Sequence, residues 1–104
     1  MNWYKKSNGL KDRLGLCYEL SGRYVLNHED SILIHGTVTN QIDKTKKTNH
    51  AWVEENNSVF DPVWDRRMPK EDYYEVLGAN PIKRYSHEQT CLNMARNRHW
   101  GPWG

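Results

Sequence analysis

Cys17, His50 and Asp61 are the residues whose side chains have the most chemistry to combine. A cysteine thiolate is a strong nucleophile, an imidazole can take up the thiol proton and pass it to a leaving amine, and a carboxylate can orient the imidazole. The three residues, in this order, predict thiol-dependent acyl chemistry at amide bonds. Hydrolysis of a peptide bond is the first expectation, and acyl transfer or deamidation of a protein amide is the alternative.

The residues around Cys17 predict that it lies in the first turn of a helix. Apolar residues such as Leu14, Cys17 and Val25 recur near helical spacing, and Gly15 marks a plausible start, so we predict a helix over 17–27. Unpaired backbone N–H groups and the helix dipole stabilise a thiolate at this position. The predicted helix therefore favours a reactive thiol at Cys17.

His50 and Asp61 are predicted to lie on the two strands of a hairpin. Two strand-like runs, 50–54 and 58–61, flank residues 55–57, which have the composition of a turn. Antiparallel pairing then brings His50 and Asp61 within one residue of the same level. Their side chains are expected to meet on one face, because alternate strand residues point the same way.

The rest of the chain predicts a single α+β domain over residues 1–104. The further predicted elements are a strand over 31–39, a mobile loop over 40–49, a helix from 69 to 77, a strand over 82–85 and a helix over 87–98. Ser86 with Gln89 forms a capping-box signature, and Gly78 is expected to cap the preceding helix. We expect Pro62 and Pro69 to interrupt further strand pairing.

Composition narrows the class of protein. The 104 residues suit one domain, and five Trp and six Tyr supply apolar area for a small core. No apolar run approaches the about 20 residues that span a bilayer, and no secretion signal is evident. We therefore expect a cytoplasmic protein in which Cys17 and Cys91 remain free thiols. A net charge of +2 is too small to indicate nucleic-acid binding.

The order of these motifs resembles a known family. Cys17, then His50-Ala-Trp-Val-Glu54, then Val59-Phe-Asp-Pro62 is similar to the transglutaminase-like branch of the papain-like thiol enzymes. The resemblance covers roughly residues 10–63. It implies a minimal core in which the helix bearing the nucleophile packs on a small antiparallel sheet. It also implies that the histidine is the general base and acid, and that the aspartate is the orienting carboxylate.

The donor that completes the oxyanion hole is the weakest part of the resemblance. Many members of the family carry a Gln or Tyr upstream of the nucleophile, and no Gln precedes Cys17. Asn8 is the candidate donor, with Tyr4 and Trp3 as alternatives, beside the backbone N–H of Cys17.

The expected substrate is a peptide or a protein. Trp52 or Trp64 is expected to form an apolar wall for it, with Trp52 also covering the catalytic residues. Lys44, Lys46 and Lys47 are expected to select acidic segments. Hydrolysis is expected over transfer, because transfer needs an acceptor site that excludes water, and few residues remain to build one.

A non-enzymatic alternative remains open. The same scaffold, catalytically inactive, could present Trp3, Trp64, Trp100 and Trp103 to a protein partner, since exposed Trp residues often anchor such interfaces. Reactivity of the Cys17 thiol distinguishes the two functions, because only an enzyme needs an activated nucleophile.

The last predicted helix carries a fragment of a metal-binding pattern. His87 and Cys91 lie one turn apart, and His99 follows two turns later. A zinc site needs further ligands, and no second pair of Cys or His is evident. We therefore expect no metal and no other cofactor, and Cys91 is expected to be half-buried.

Overall fold

A computed structural model describes residues 16–103, which form an α+β fold with three helices and one five-stranded sheet. The elements are α1 (Cys17–Leu26), β1 (Ile32–Thr39), β2 (Lys47–Glu55), β3 (Ser58–Asp61), β4 (Arg66–Pro69), α2 (Lys70–Leu77), β5 (Asn80–Tyr85) and α3 (His87–Asn97). The strands follow the order β4-β3-β2-β1-β5, and every neighbouring pair is antiparallel. The predicted fold class, a Cys-bearing helix on an antiparallel sheet, is confirmed. Each of these helices is too short or too polar to cross a membrane.

The local signals for the helices are confirmed. Helix α1 begins at Cys17, as predicted, and ends one residue before the predicted end. Ser86 and Gln89 form both hydrogen bonds of a capping box at the start of α3. Gly78 ends α2 in the left-handed conformation with φ 56°, which a glycine adopts at little cost.

Two expectations about the strands are wrong. Pairing continues past Pro62, because β4 pairs with β3 and ends at Pro69, opposite Ser58. Proline is tolerated there because β4 is an edge strand, where a missing N–H costs no ladder bond. The predicted loop is shorter than expected, since β2 begins at Lys47, paired with Thr39 of β1.

The β2–β3 hairpin sets the level of the two candidate catalytic side chains. Asn56 and Asn57 both have positive φ, 53° and 62°, as in the tight turns that match the twist of paired strands. The resulting register pairs Val53 with Phe60. Continuing it places Asp61 two residues from His50 along β2, not within one as predicted. An offset of two keeps both side chains on one face.

The two faces of the sheet are covered by different helices, α1 and α3 on one face and α2 on the other. On one face, α1 buries Cys17, Leu20 and Val25 against residues of β1 and β2 such as Leu33, Ala51 and Val53. On the other face, Tyr73 of α2 packs with Ile34, Trp52 and Val59. Residues 50 and 52 of β2 alternate with 51 and 53. His50 and Asp61 therefore belong to the α2 face.

Gly36 allows β5 and Trp52 to approach β1 beside His50. It pairs with His50 across β1 and β2, and an added Cβ would lie 2.1 Å from the Asn80 carbonyl oxygen and 2.9 Å from the Trp52 ring. We expect Gly36→Ala to lower the free energy of unfolding by about 1–3 kcal/mol, because well-packed neighbours must move. Urea denaturation measures this, with Thr37→Ala as the control. Equal stability of the two variants would contradict the close approach.

Candidate active site

Cys17 is the first residue of α1 and is buried. Its neighbours are Leu20 on the same helix, together with Ala51 and Val63. Leu16 precedes it as the N-cap residue, and its apolar side chain makes no capping hydrogen bond. The N–H groups of the first helical turn are therefore not used by their cap residue, and they favour negative charge at the start of the helix.

His50 interacts with Cys17 beside the part of β2 that β3 leaves unpaired. Strand β3 pairs only with residues 53–55 of β2, so β2 has no β3 partner beside His50. The Cys17 thiol at the start of α1 is close enough to the ring to raise the pKa of His50. The His50 Nε2 atom donates a hydrogen bond to Asp61 Oδ2 over 2.8 Å. The other ring nitrogen, Nδ1, is left for the thiol.

The surroundings of His50 favour its charged form. Burial acts to lower the pKa of His50, but the hydrogen bonds to Asp61 and Cys17, and the negative charge of both groups, outweigh it. Together they raise the pKa of His50 from 6.5 to about 9. The arrangement thus favours a protonated, positively charged His50 ring at neutral pH.

Asp61 is fixed by hydrogen bonds to both of its oxygens. It is 2% exposed, and Oδ2 accepts from His50 Nε2 and, over 2.7 Å, from the Tyr73 hydroxyl. Its Oδ1 accepts from the Val63 backbone N–H over 3.0 Å. These donors stabilise the carboxylate charge and set its orientation, so that one lone pair faces the imidazole.

Tyr73 is the residue of this site that the sequence did not reveal. Burial, together with the charge of Asp61, raises the pKa of Tyr73, so the hydroxyl keeps its proton and acts only as a donor toward the carboxylate. Nothing in the sequence separates Tyr73 from its neighbour Tyr74. The packing of α2 decides which of the two faces Asp61.

The prediction that Trp52 contacts the substrate is wrong. Trp52 lies on the same face as His50, with the ring centres 6.1 Å apart, but it is 0% exposed and packs in the core. Its indole N–H donates to the Tyr74 hydroxyl over 3.1 Å, and that hydroxyl donates to Glu54. Arg84 also donates to Glu54. Trp52 therefore packs in the core next to His50 and does not cover the site.

Trp64 is partly exposed at a cleft, as its predicted role of a substrate wall requires. It is 39% exposed and lines two adjoining clefts of about 250 and 410 Å³, which also share Leu77. The first cleft is also lined by His50, and the second by Asp61 and Tyr73. We call the two together the α2-side groove. It runs along His50 and Asp61 on the α2 face of the sheet, and Cys17 is not among the described residues that line it.

The loop that carries Lys44, Lys46 and Lys47, here called the lysine-rich loop, does not supply the groove with positive charge. The Lys47 ammonium donates to the Gly78 carbonyl oxygen over 3.1 Å, and the Lys46 ammonium lies 3.9 Å from Asp43. Lys44, Lys46 and Lys47 are not among the described residues that line the groove, whereas Gln41 of the same loop is. The expected selection of acidic segments by these lysines is therefore not supported.

Known protein families, curated proteins and solved structures give no match to this chain. The case for a function therefore rests on the geometry of Cys17, His50 and Asp61.

Three of the residues with predicted roles lie outside the described part of the chain. These are Asn8, Tyr4 and Trp3, the candidate oxyanion donors, of which Trp3 is also a predicted partner anchor. Trp103 is described and is buried, 5% exposed, so it cannot anchor a partner. Trp100 packs on Gly22, and the Arg23 guanidinium lies 4.9 Å from the centre of its ring.

The fragment of a metal-binding pattern is used for hydrogen bonds. His87 Nδ1 donates to the Val25 carbonyl oxygen over 2.8 Å, and His87 Nε2 lies 3.7 Å from Cys91 Sγ. His99 Nδ1 accepts from the Gly101 N–H. Over residues 16–103, no three His, Cys, Asp or Glu side chains are grouped to hold a metal ion. Cys91 is exposed, not half-buried, and forms no disulfide with Cys17.

Proposed function

We propose that this protein is a cysteine-nucleophile enzyme that hydrolyses amide bonds in peptide or protein substrates. Cys17 is the nucleophile, His50 is the general base and acid, and Asp61 orients His50. The single observation that carries the proposal is the position of the His50 ring, hydrogen-bonded to Asp61 over 2.8 Å and adjacent to the Cys17 thiol. A nucleophile next to a base that is hydrogen-bonded to an orienting group is the arrangement that such catalysis requires.

The first half of the reaction forms a thioester. The Cys17 thiolate attacks the substrate carbonyl carbon, and the carbonyl oxygen takes up the negative charge near the backbone N–H of Cys17. His50 then transfers its Nδ1 proton to the amide nitrogen as the carbon–nitrogen bond breaks. The amine leaves, the acyl group stays on sulfur, and His50 becomes neutral with its Nε2–H still bonded to Asp61.

The second half returns the enzyme to its starting state. Neutral His50 takes a proton from a water molecule, whose oxygen attacks the thioester carbon. Expulsion of the Cys17 thiolate releases the carboxylic acid and leaves His50 protonated. Asp61 stabilises the imidazolium at both ends of the cycle, while the ring alone moves protons.

The free thiols of Cys17 and Cys91 suit a reducing compartment, so we place the enzyme in the cytoplasm.

The products distinguish the proposed hydrolase from its alternatives. A peptide library is incubated with the protein and an excess of a primary amine, and the products are identified by mass spectrometry. Hydrolysis gives acids that depend on Cys17. Amine adducts that depend on Cys17 would indicate a transferase of the transglutaminase type, and release of ammonia from Gln side chains would indicate a deamidase. No Cys17-dependent product would favour the binding module.

Thiol reactivity tests the triad without any knowledge of the substrate. Near pH 6 we expect iodoacetamide to label Cys17 at least about tenfold faster than Cys91, because the proposed catalysis requires Cys17, and not Cys91, to react as a thiolate beside the His50 imidazolium. Peptide mass spectrometry measures both rates in the same sample. His50→Gln should slow labelling of Cys17 and leave Cys91 unchanged. Equal rates at the two thiols, or no effect of His50→Gln, would argue against an activated nucleophile.

A further inference from the structure

A second cleft opens on the α1 face of the sheet. Its volume is about 160 Å³, and we call it the α1-side cleft. The side chains that matter most in its lining are those of Tyr18, His35, Asn49, Ile82, Lys83 and Trp103. The lining combines aromatic rings, one histidine and one formal positive charge.

The α1-side cleft adjoins the candidate catalytic residues. Tyr18 directly follows Cys17 in α1, and the charge of Cys17 contributes, after burial, to raising the pKa of Tyr18. Asn49 directly precedes His50 and lines both this cleft and the α2-side groove. A substrate that extends from one cleft to the other therefore passes Asn49 and His50.

His35, which lines this cleft, has a buried hydrogen-bonding atom without a partner. The residue is 6% exposed, and its ring is packed against Tyr18, Tyr85 and Trp103 at centre distances of 4.8, 5.1 and 5.2 Å. Its Nε2 atom is buried and has no hydrogen-bond partner. Leaving such an atom unpaired costs about 1–3 kcal/mol, so a ligand that pairs with it gains a favourable contact.

Charge complementarity indicates the chemistry of that ligand. Burial, assisted by the positive charge of Lys83, lowers the pKa of His35 to about 4, so the ring is neutral near pH 7 and can donate one N–H. Lys83 adds a positive charge in the lining. A carboxylate accepts from an imidazole N–H and pairs with an ammonium, whereas a substrate amine would be repelled by Lys83.

We propose that the α1-side cleft binds a carboxylate of the substrate, held by His35 Nε2–H and Lys83. The inference rests on the proposed function in treating the ligand as part of the substrate. It assigns selection of acidic peptides to Lys83, in place of the lysine-rich loop. The carboxylate is either an acidic side chain or the free C-terminus of the peptide, and both present the same two oxygens to the cleft.

Matched peptides test the proposal by binding alone. The protein is Cys17→Ser, which cannot form a thioester, with ¹³C-labelled histidine for NMR. The probes are Ac-Ala-Ala-Asp-amide against Ac-Ala-Ala-Asn-amide, and Ac-Ala-Ala-Ala with a free against an amidated C-terminus. We expect the preferred carboxylate to bind about five- to tenfold more tightly than its uncharged twin, as for a charge-assisted contact at a partly open site. Binding should shift the His35 ring signals. The pair that shows the preference identifies the source of the carboxylate.

Two lysine variants decide whether the cleft is responsible. Lys83→Met should abolish the preference for the carboxylate, and Lys44→Met, on the lysine-rich loop, should retain it. Equal affinity for charged and uncharged twins would overturn the proposal, as would a preference that survives Lys83→Met. Because binding is measured on Cys17→Ser without turnover, acidic peptides that bind this variant but are not cleaved by the wild-type protein would support the cleft and refute the hydrolase. Cleavage of peptides by the wild-type protein, without any preference for a carboxylate, would support the hydrolase and refute the cleft.

Discussion

Asp61→Asn is expected to reduce kcat/KM by about 10³–10⁴-fold, the loss typical of neutralising the carboxylate of such a triad. The variant keeps the shape of the side chain and removes its charge. Three donors now converge on the carboxylate, from His50, Tyr73 and Val63. An amide offers one oxygen and an NH₂ group in place of two oxygens. At least one donor loses its acceptor, and the imidazolium loses its counter-charge.

The pH profile of Asp61→Asn identifies the cause of the loss. Acylation requires protonated His50, whose pKa is about 9, so the wild-type rate should fall on the alkaline side near that pH. Asp61 raises this pKa, so its neutralisation should move the alkaline limb to lower pH. Asp65→Asn is the control, an exposed aspartate close in sequence. Activity within a fewfold of wild type, with an unmoved alkaline limb, would remove Asp61 from the mechanism.

The sequence could predict the hairpin because local rules determine it. Two adjacent asparagines favour a tight turn, and the turn fixes which residues of β2 and β3 are paired. Alternation along each strand then places His50 and Asp61 on one face. The placement of Cys17 also follows from local signals, since a helix start depends on the residues around it. The positions of Cys17, His50 and Asp61 depend on local rules, and they could therefore be predicted from the sequence.

The roles of residues that depend on packing between distant elements could not be predicted from the sequence. Trp52 was correctly placed on the His50 face, but its burial depends on how α2 covers that face. The position of α2 depends in turn on β4, a strand that the presence of Pro69 had argued against. His35 lies in a predicted strand, yet its unpaired nitrogen results from contacts with α1, β5 and Trp103. Periodicity and turn chemistry carry no information about such contacts.

Tyr73→Phe is expected to reduce kcat by about 10- to 100-fold, the range for loss of one hydrogen bond to a charged group. The substitution removes only the hydroxyl that donates to Asp61 over 2.7 Å, and the ring can remain packed beside Trp52. Asp61 then keeps only its hydrogen bonds to His50 and to the Val63 N–H, so its orientation toward the imidazole is less well fixed. Tyr73 is in this sense a positioning residue, which acts through Asp61 on His50.

Tyr74→Phe is the matched control for Tyr73→Phe. It removes the hydroxyl of the next residue on α2, which bonds Glu54 and not Asp61. Both variants should lose some stability, but only Tyr73→Phe should change the pH dependence of kcat. Without the Tyr73 donor Asp61 is less well oriented toward His50, whose pKa it helps to raise to about 9, so the alkaline limb should move to lower pH. Rate profiles of the two variants, with thermal unfolding measured in parallel, separate positioning from stability. An alkaline limb that is unmoved in Tyr73→Phe, or moved equally in both variants, would reduce Tyr73 to a packing residue.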